Sequence, residues 1–200
     1  MKSYVLLAAS LGLASCTPVD PVAPGRIVFL GDSLTEGYGL SPEESYPALL
    51  SDRLAGHRLT VVNAGISGET TAGGLGRVGA VVGPDTRVLV LALGANDVLA
   101  RGDPAAMKSN LLAMIAEARA ANPQVRILLA GIRFTFPVDN GTYSQVYAEV
   151  AREAGVAHLP HLLSGVIGNP QLNQPDGMHP TAEGQKMMAE TVWEALEPLL

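Results

Sequence analysis

Arg26-Ile27-Val28-Phe29-Leu30-Gly31-Asp32-Ser33-Leu34-Thr35-Glu36-Gly37 is the stretch that decides how the chain folds. It begins as a short apolar, β-favouring run, set off by Pro24-Gly25 before it and Gly31 after it. A run without polar alternation reads as a strand buried on both faces, the kind that belongs to a parallel α/β sheet. Gly31 permits a sharp change of direction, which puts Ser33 on the loop at the strand's carboxyl end. Ligands of open α/β sheets bind along that edge. A serine hydroxyl is a poor nucleophile at neutral pH, however. It needs a base, a group to orient the base, and donors for the oxyanion that develops on a carbonyl substrate.

The remaining chain alternates strands and helices. Ser41-Pro42-Glu43-Glu44 carries the marks of a helix start, with Ser41 as N-cap, Pro42 in the first turn and Glu44 completing a capping box. The helix is expected to reach about Ala55, with Tyr46, Leu49, Leu50 and Leu54 inward and Pro47 as a source of kinking or delay. Leu59 to Val62 reads as strand two, Asn63 to Gly68 as a loop, and Thr71 to Val82 as a glycine-laden helix. Arg87 to Leu93 is apolar almost throughout and is expected at the sheet's centre, closed by the loop Gly94-Ala95-Asn96-Asp97. A long helix follows from Asp103-Pro104 to about Ala121, with Leu111, Leu112, Ile115 and Ala118 on one stripe. Then come a strand over Val125 to Ala130, a surface loop over Arg133 to Asn140 and a helix over Tyr143 to Ala154. A short strand at Val156 to Leu159, a polar loop over Asn169 to Pro175 and a last helix from Thr181 to Leu196 complete the order. This rhythm implies a parallel sheet in a three-layer α/β/α sandwich.

The groups that Ser33 requires are present. His179, in Asp176-Gly177-Met178-His179-Pro180, is the natural general base, because imidazole exchanges a proton near neutral pH. Asp176 stands three residues earlier, where one loop could hold carboxylate and imidazole together. Gly68 offers an unhindered backbone N–H, Asn96 a side-chain amide, and Ser33 its own N–H, aided by a helix dipole if it opens a helix. Each residue alone has an ordinary alternative. Asp176 and His179 could be a turn aspartate and a helix-entry histidine, Gly68 a turn residue, and Asn96 a strand-end cap. What sets them apart is position: four loops along one sheet edge carry all of them. Asp32 and Asp97, beside these positions, read as structural caps or pairs.

Gly31-Asp32-Ser33-Leu34, Asn63 to Gly68, Gly94 to Asp97 and Asp176 to Pro180 together resemble the ordered motifs of the SGNH (GDSL-type) hydrolases. The similarity is closest to their bacterial arylesterase/thioesterase/lysophospholipase branch. The resemblance implies a flavodoxin-like sandwich with a mainly five-stranded parallel sheet. It implies Ser33 as nucleophile, His179 as base and Asp176 as its orienter, with Ser33 N–H, Gly68 N–H and the Asn96 side chain as the oxyanion hole. It also implies hydrolysis of short or medium acyl, aryl or thio esters, or of lysophospholipids, without metal or cofactor. Acyl transfer to, or deacetylation of, an envelope glycan or lipid, and a non-catalytic envelope lipoprotein, are the alternatives. The match is poorest over Arg133 to Asn140 and Ser164 to Pro175, where substrate preference is expected to be set.

The first fifteen residues read as a targeting segment, with Lys2 before an apolar run too short to span a bilayer. The run ends Leu13-Ala14-Ser15-Cys16, which resembles a bacterial lipobox and makes Cys16 an expected lipidation site; an ordinary secretory signal cleaved near a small residue, leaving a secreted protein, is the alternative. Residues 16–25, with Pro18, Pro21 and Pro24, read as an extended tether, and residues 26–200 as one hydrolase domain. The expected partners are a small ester substrate and, through Cys16, a membrane surface facing the periplasm or exterior. No obligate protein partner is implied. Composition (48% hydrophobic, 16% charged) suits a packed domain, and a net charge of −6 with no basic run argues against nucleic acid.

Other motifs are weaker. Gly74-Leu75-Gly76-Arg77-Val78-Gly79 spells a dinucleotide fingerprint, but too many residues separate it from strand two for glycines that must follow the strand directly. The serine elbow G-x-S-x-G is absent. His158 and His161 flank Pro160 and have no nearby acidic or cysteine partner, so they and His57 read as ordinary histidines rather than metal ligands.

Overall fold

The computed structural model describes residues 24–134, 138–139 and 141–200. The expected targeting segment and all of the tether before Pro24 lie outside the described residues, as do residues 135–137 and 140 of the expected surface loop. Five strands form one parallel sheet: β1 (Gly25–Gly31), β2 (Leu59–Gly65), β3 (Thr86–Ala92), β4 (Arg126–Ala130) and β5 (Ala157–Leu159). Their order is β2-β1-β3-β4-β5, the flavodoxin-like arrangement. Strand order reverses between β1 and β3, so the loops leaving those two strands diverge and open a crevice at the carboxyl edge.

The apolar strands serve two cores by simple alternation. Ile27, Phe29, Val88, Val90 and Leu128 face one layer, and Val28, Leu30, Leu89, Leu91 and Ile127 the other; all are buried. The first layer holds α2 (Tyr46–Leu49), α3 (Ser51–Gly56) and α9 (Ala182–Leu196), with the Phe29 and Tyr46 rings edge to face at 5.6 Å. The second holds α4 (Thr71–Leu75), α5 (Val78–Val81), α7 (Pro104–Ala121) and α8 (Thr142–Ala154). No helix among the described residues is long and apolar enough to cross a membrane.

Local differences from the expected elements have identifiable causes. The helix expected from Ser41 begins as a 3₁₀ turn, Pro42–Glu44, whose Glu44 carboxylate accepts from the Ser41 N–H and hydroxyl. It then stops at extended Ser45 and restarts as α2. Pro47 has no N–H to continue the earlier turn, so it sits in the first turn of a new helix, where none is needed. The helix expected from Thr71 to Val82 breaks at Gly76-Arg77, because Arg77 turns inward to Glu69 and to the Ala64 carbonyl. β2 runs on through Asn63, Ala64 and Gly65, which pair with Phe29, Leu30 and Gly31. β1 already begins at Gly25, assigned above to the tether.

Ser33 is not on a loop but opens α1 (Ser33–Glu36), a single turn with Asp32 as N-cap. Gly31 is needed for space rather than for a change of direction: a Cβ there would lie 2.0 Å from Thr35 Oγ1. The Asp32 carboxylate accepts from Leu34 N–H at 3.0 Å, yet it is fully buried, and burial pushes its pKa up to about 7. An unfolded aspartate titrates near pH 4. Across the window from about pH 4 to 7 the folded chain therefore holds a proton that the unfolded chain releases, and stability falls as pH rises. Asp32→Asn, which keeps a capping oxygen, should flatten that part of the melting-temperature profile. An unchanged slope between pH 4.5 and 7.5 would contradict the assignment.

Candidate active site

The carboxyl edge of the sheet gathers four segments. Ser33 lies at the end of β1, Gly68 between β2 and α4, and Asn96 in α6 (Ala95–Leu99), which directly follows β3. Asp176 and His179 lie in the loop entering α9. Asn96 was expected on a loop; it is the second residue of a short helix that starts after Gly94, whose φ of 122° favours glycine.

Ser33 Oγ lies 2.9 Å from His179 Nε2, and His179 Nδ1 lies 2.6 Å from Asp176 Oδ2. An ionised carboxylate only accepts, so Nδ1 carries the imidazole proton and Nε2 is left to accept from the serine hydroxyl. Asp176 Oδ1 is held by the N–H groups of Met178 and His179, at 2.9 and 3.0 Å. The bond to His179, followed by those two N–H bonds, lowers the Asp176 pKa to about 2. The carboxylate therefore stays charged across the neutral range, although its side chain is 42% exposed.

Gly68 and Asn96 line the same cavity as Ser33 and His179. Gly68 adopts φ 79° with open space where a Cβ would be, so backbone conformation rather than crowding calls for glycine. The neighbouring Ser67 N–H and hydroxyl both donate to the Glu36 carboxylate, which ties this loop to α1. Asn96 Nδ2 donates to the Glu69 carbonyl at 2.9 Å, an anchor that aims the amide. Asp97 is structural: it accepts from Thr71 N–H and Oγ1 at 2.8 and 2.6 Å.

The cavity has a volume of about 200 Å³, and its lining is mostly apolar, with Leu34, Ala95, Leu99, Phe134, Leu163 and Met178 beside the polar groups. Phe134 comes from one of the two segments where specificity was expected; no residue of Ser164 to Pro175 lines it. Sequence reasoning missed Tyr38, whose ring lies 4.5 Å from that of His179 and is 51% exposed. The signal was faint: an aromatic between Gly37 and Gly39, both at positive φ. The glycines of the dinucleotide-like motif sit at helix ends well beyond β2, and Gly74 packs tightly on Leu93 and Met114. Among the described residues no group of three or more His, Cys, Asp or Glu side chains could share a metal ion.

The chain is 38% identical to Esterase TesA of Pseudomonas aeruginosa, covering 98% of each chain. It is 34% identical to Thioesterase 1/protease 1/lysophospholipase L1 of Escherichia coli K12, over 89% of this chain and 86% of that one. Its fold superposes on the crystal structure of TesA with a TM-score of 0.82, at 38% identity, covering 88% of this chain and 99% of that one. Residues 29–187, a span that includes every one of the site residues above, match the GDSL-like Lipase/Acylhydrolase family, and the chain belongs to that family.

Proposed function

We propose that the chain is a serine esterase that cleaves carboxylic and thio esters through an acyl-enzyme, with Ser33 as nucleophile, His179 as general base and Asp176 as orienter. The observation that carries this reading is the unbroken relay from Ser33 Oγ through His179 to Asp176. Ser33 Oγ bonds to the acyl carbon while its proton passes to Nε2. The Asp176 carboxylate stabilises the imidazolium without taking its proton. The carbonyl oxygen, now an oxyanion, accepts from Ser33 N–H, Gly68 N–H and Asn96 Nδ2. Collapse breaks the bond to the leaving alcohol or thiol, which takes the proton from Nε2. Water, deprotonated by the same imidazole, then attacks the acyl-enzyme and frees the acid and Ser33.

The apolar lining formed by Leu99, Phe134, Leu163 and Met178 suits the acyl chain, and the cavity's small size favours short to medium chains. The relatives' names, an esterase and a thioesterase/lysophospholipase, support the same substrate class. We further propose that a lipidated Cys16 holds the enzyme at a membrane surface, so that the site works on esters in the envelope or outside the cell.

Hydrolysis of p-nitrophenyl acetate and butyrate tests the activity: Ser33→Ala should lose turnover while keeping the parent's circular dichroism and melting temperature. Parent-like rates in that variant would rule out this nucleophile. Asn96→Ala should lose roughly 3 kcal/mol of transition-state stabilisation, about a hundredfold in kcat; a change confined to KM would make the amide a ground-state contact. Cys16→Ser should move the protein from the membrane to the soluble fraction, and unchanged fractionation would refute the anchor.

A further inference from the structure

We propose that Gln174 is a positioning residue that sets the distance between nucleophile and base, an inference that rests on the roles given to Ser33 and His179 above. Its amide ties the segment following Ser33 to the loop carrying His179. Gln174 Nε2 donates to the Tyr38 carbonyl at 2.7 Å and to the Pro180 carbonyl at 2.9 Å. A carboxamide nitrogen has two protons, and each goes to a different segment. Tyr38 lies on the stretch that leaves α1, and Pro180 directly follows His179.

The main chain of Gln174 braces the base loop as well. Its N–H donates to the His179 carbonyl at 2.7 Å, its carbonyl accepts from Gly177 N–H at 2.9 Å, and adjacent Asn173 bridges Pro180. The loop is thus closed on itself, and the side chain reaches outward to fix it against the other half of the site. Gly39 makes that reach possible: a Cβ at this position, where φ is 77°, would lie 2.6 Å from Gln174 Oε1. Tyr38 is consequently held at both ends, with its carbonyl on Gln174 and its ring against the His179 ring.

A second amide makes the matching connection from the buried side. Gln185, in α9, donates to the Leu34 carbonyl at 3.2 Å and accepts from Tyr46 N–H at 2.8 Å. Two carboxamides therefore tie the segment that follows Ser33 to the segment that carries or follows His179. Gln185 is 1% exposed, so its loss would leave buried backbone groups unpaired and endanger the fold. Gln174 is only half-buried, so its loss should loosen the site and leave the cores intact.

The test compares the parent with Gln174→Ala, Gln174→Glu and Ser33→Ala on p-nitrophenyl acetate, with Gln124→Ala at the opposite sheet edge as control. Active sites are counted with an alkyl p-nitrophenyl phosphonate. Misplacement of reacting groups by about 1 Å costs on the order of a hundredfold in rate. Both Gln174 variants should therefore lose roughly 10–100-fold in kcat per titrated site. KM should stay within about twofold, the melting temperature should be nearly unchanged, and phosphonylation should reach completion at a proportionally slower rate. Gln174→Glu keeps the length but lacks the N–H donors, so parent-like kcat in that variant would overturn the tie. So would unchanged kcat per site in Gln174→Ala, a loss explained wholly by fewer titratable sites, or unfolding of both variants. A parent with no activity above Ser33→Ala would overturn the esterase reading along with the tie; activity that survives the Gln174 changes would overturn the tie alone.

Discussion

A 2.9 Å hydrogen bond between Ser33 and His179, separated by 146 positions in the chain, is the constraint on which the rest of the site depends. A serine hydroxyl acquires nucleophilic character only while a base is within reach of its proton, and a shift of one ångström removes most of that benefit. Neither residue can secure the distance by itself. The sheet brings the two segments together, putting the end of β1 beside the start of α9 through two apolar layers packed on opposite faces, and the polar ties at its carboxyl edge then set the spacing. The reversal of strand order between β1 and β3 then opens the crevice in which Asn96 and Ser33 face a common space.

Around this bond the polar groups are partnered in ways that leave little slack. Asp32 caps the turn that Ser33 opens from a fully buried position, and Glu36 at the other end of that turn holds the Gly68 loop. Glu69 pairs with Arg77 through its carboxylate and anchors Asn96 through its carbonyl. In the proposed reaction these bonds would fix groups that otherwise need to reorganise as charge develops, as a preorganised oxyanion site requires. Buried polar atoms are costly when unpaired. The same bonds that aim the donors therefore also hold the carboxyl edge together.

Much of this was legible in the sequence because it rests on local patterns. Runs such as Arg26 to Leu30 and Arg87 to Leu93 are short, apolar without alternation and closed by glycine, which fits a doubly covered parallel strand. The four motifs could be assigned to one edge because each follows a strand or precedes the last helix. The breaks in the first helices were less legible, since Pro47 signals a disturbance without saying whether the helix bends or restarts. The split of α4 from α5 was not legible at all, because Arg77 leaves helical register for partners fixed by tertiary structure. Tyr38, Gln174 and Gln185 were hidden for the same reason. Their partners are main-chain carbonyls, a main-chain N–H and a ring brought close by the fold, and no spacing rule encodes such contacts.

In the proposed reaction Ser33, activated by His179, is the group that meets the acyl carbonyl. A phosphonate ester that mimics the tetrahedral adduct tests this most directly, with the labelled peptide identified by mass spectrometry as activity is lost. Inactivation should be complete at one label per chain, with the label on Ser33 Oγ. Complete inactivation with Ser33 unmodified, or with the label on another side chain, would contradict it.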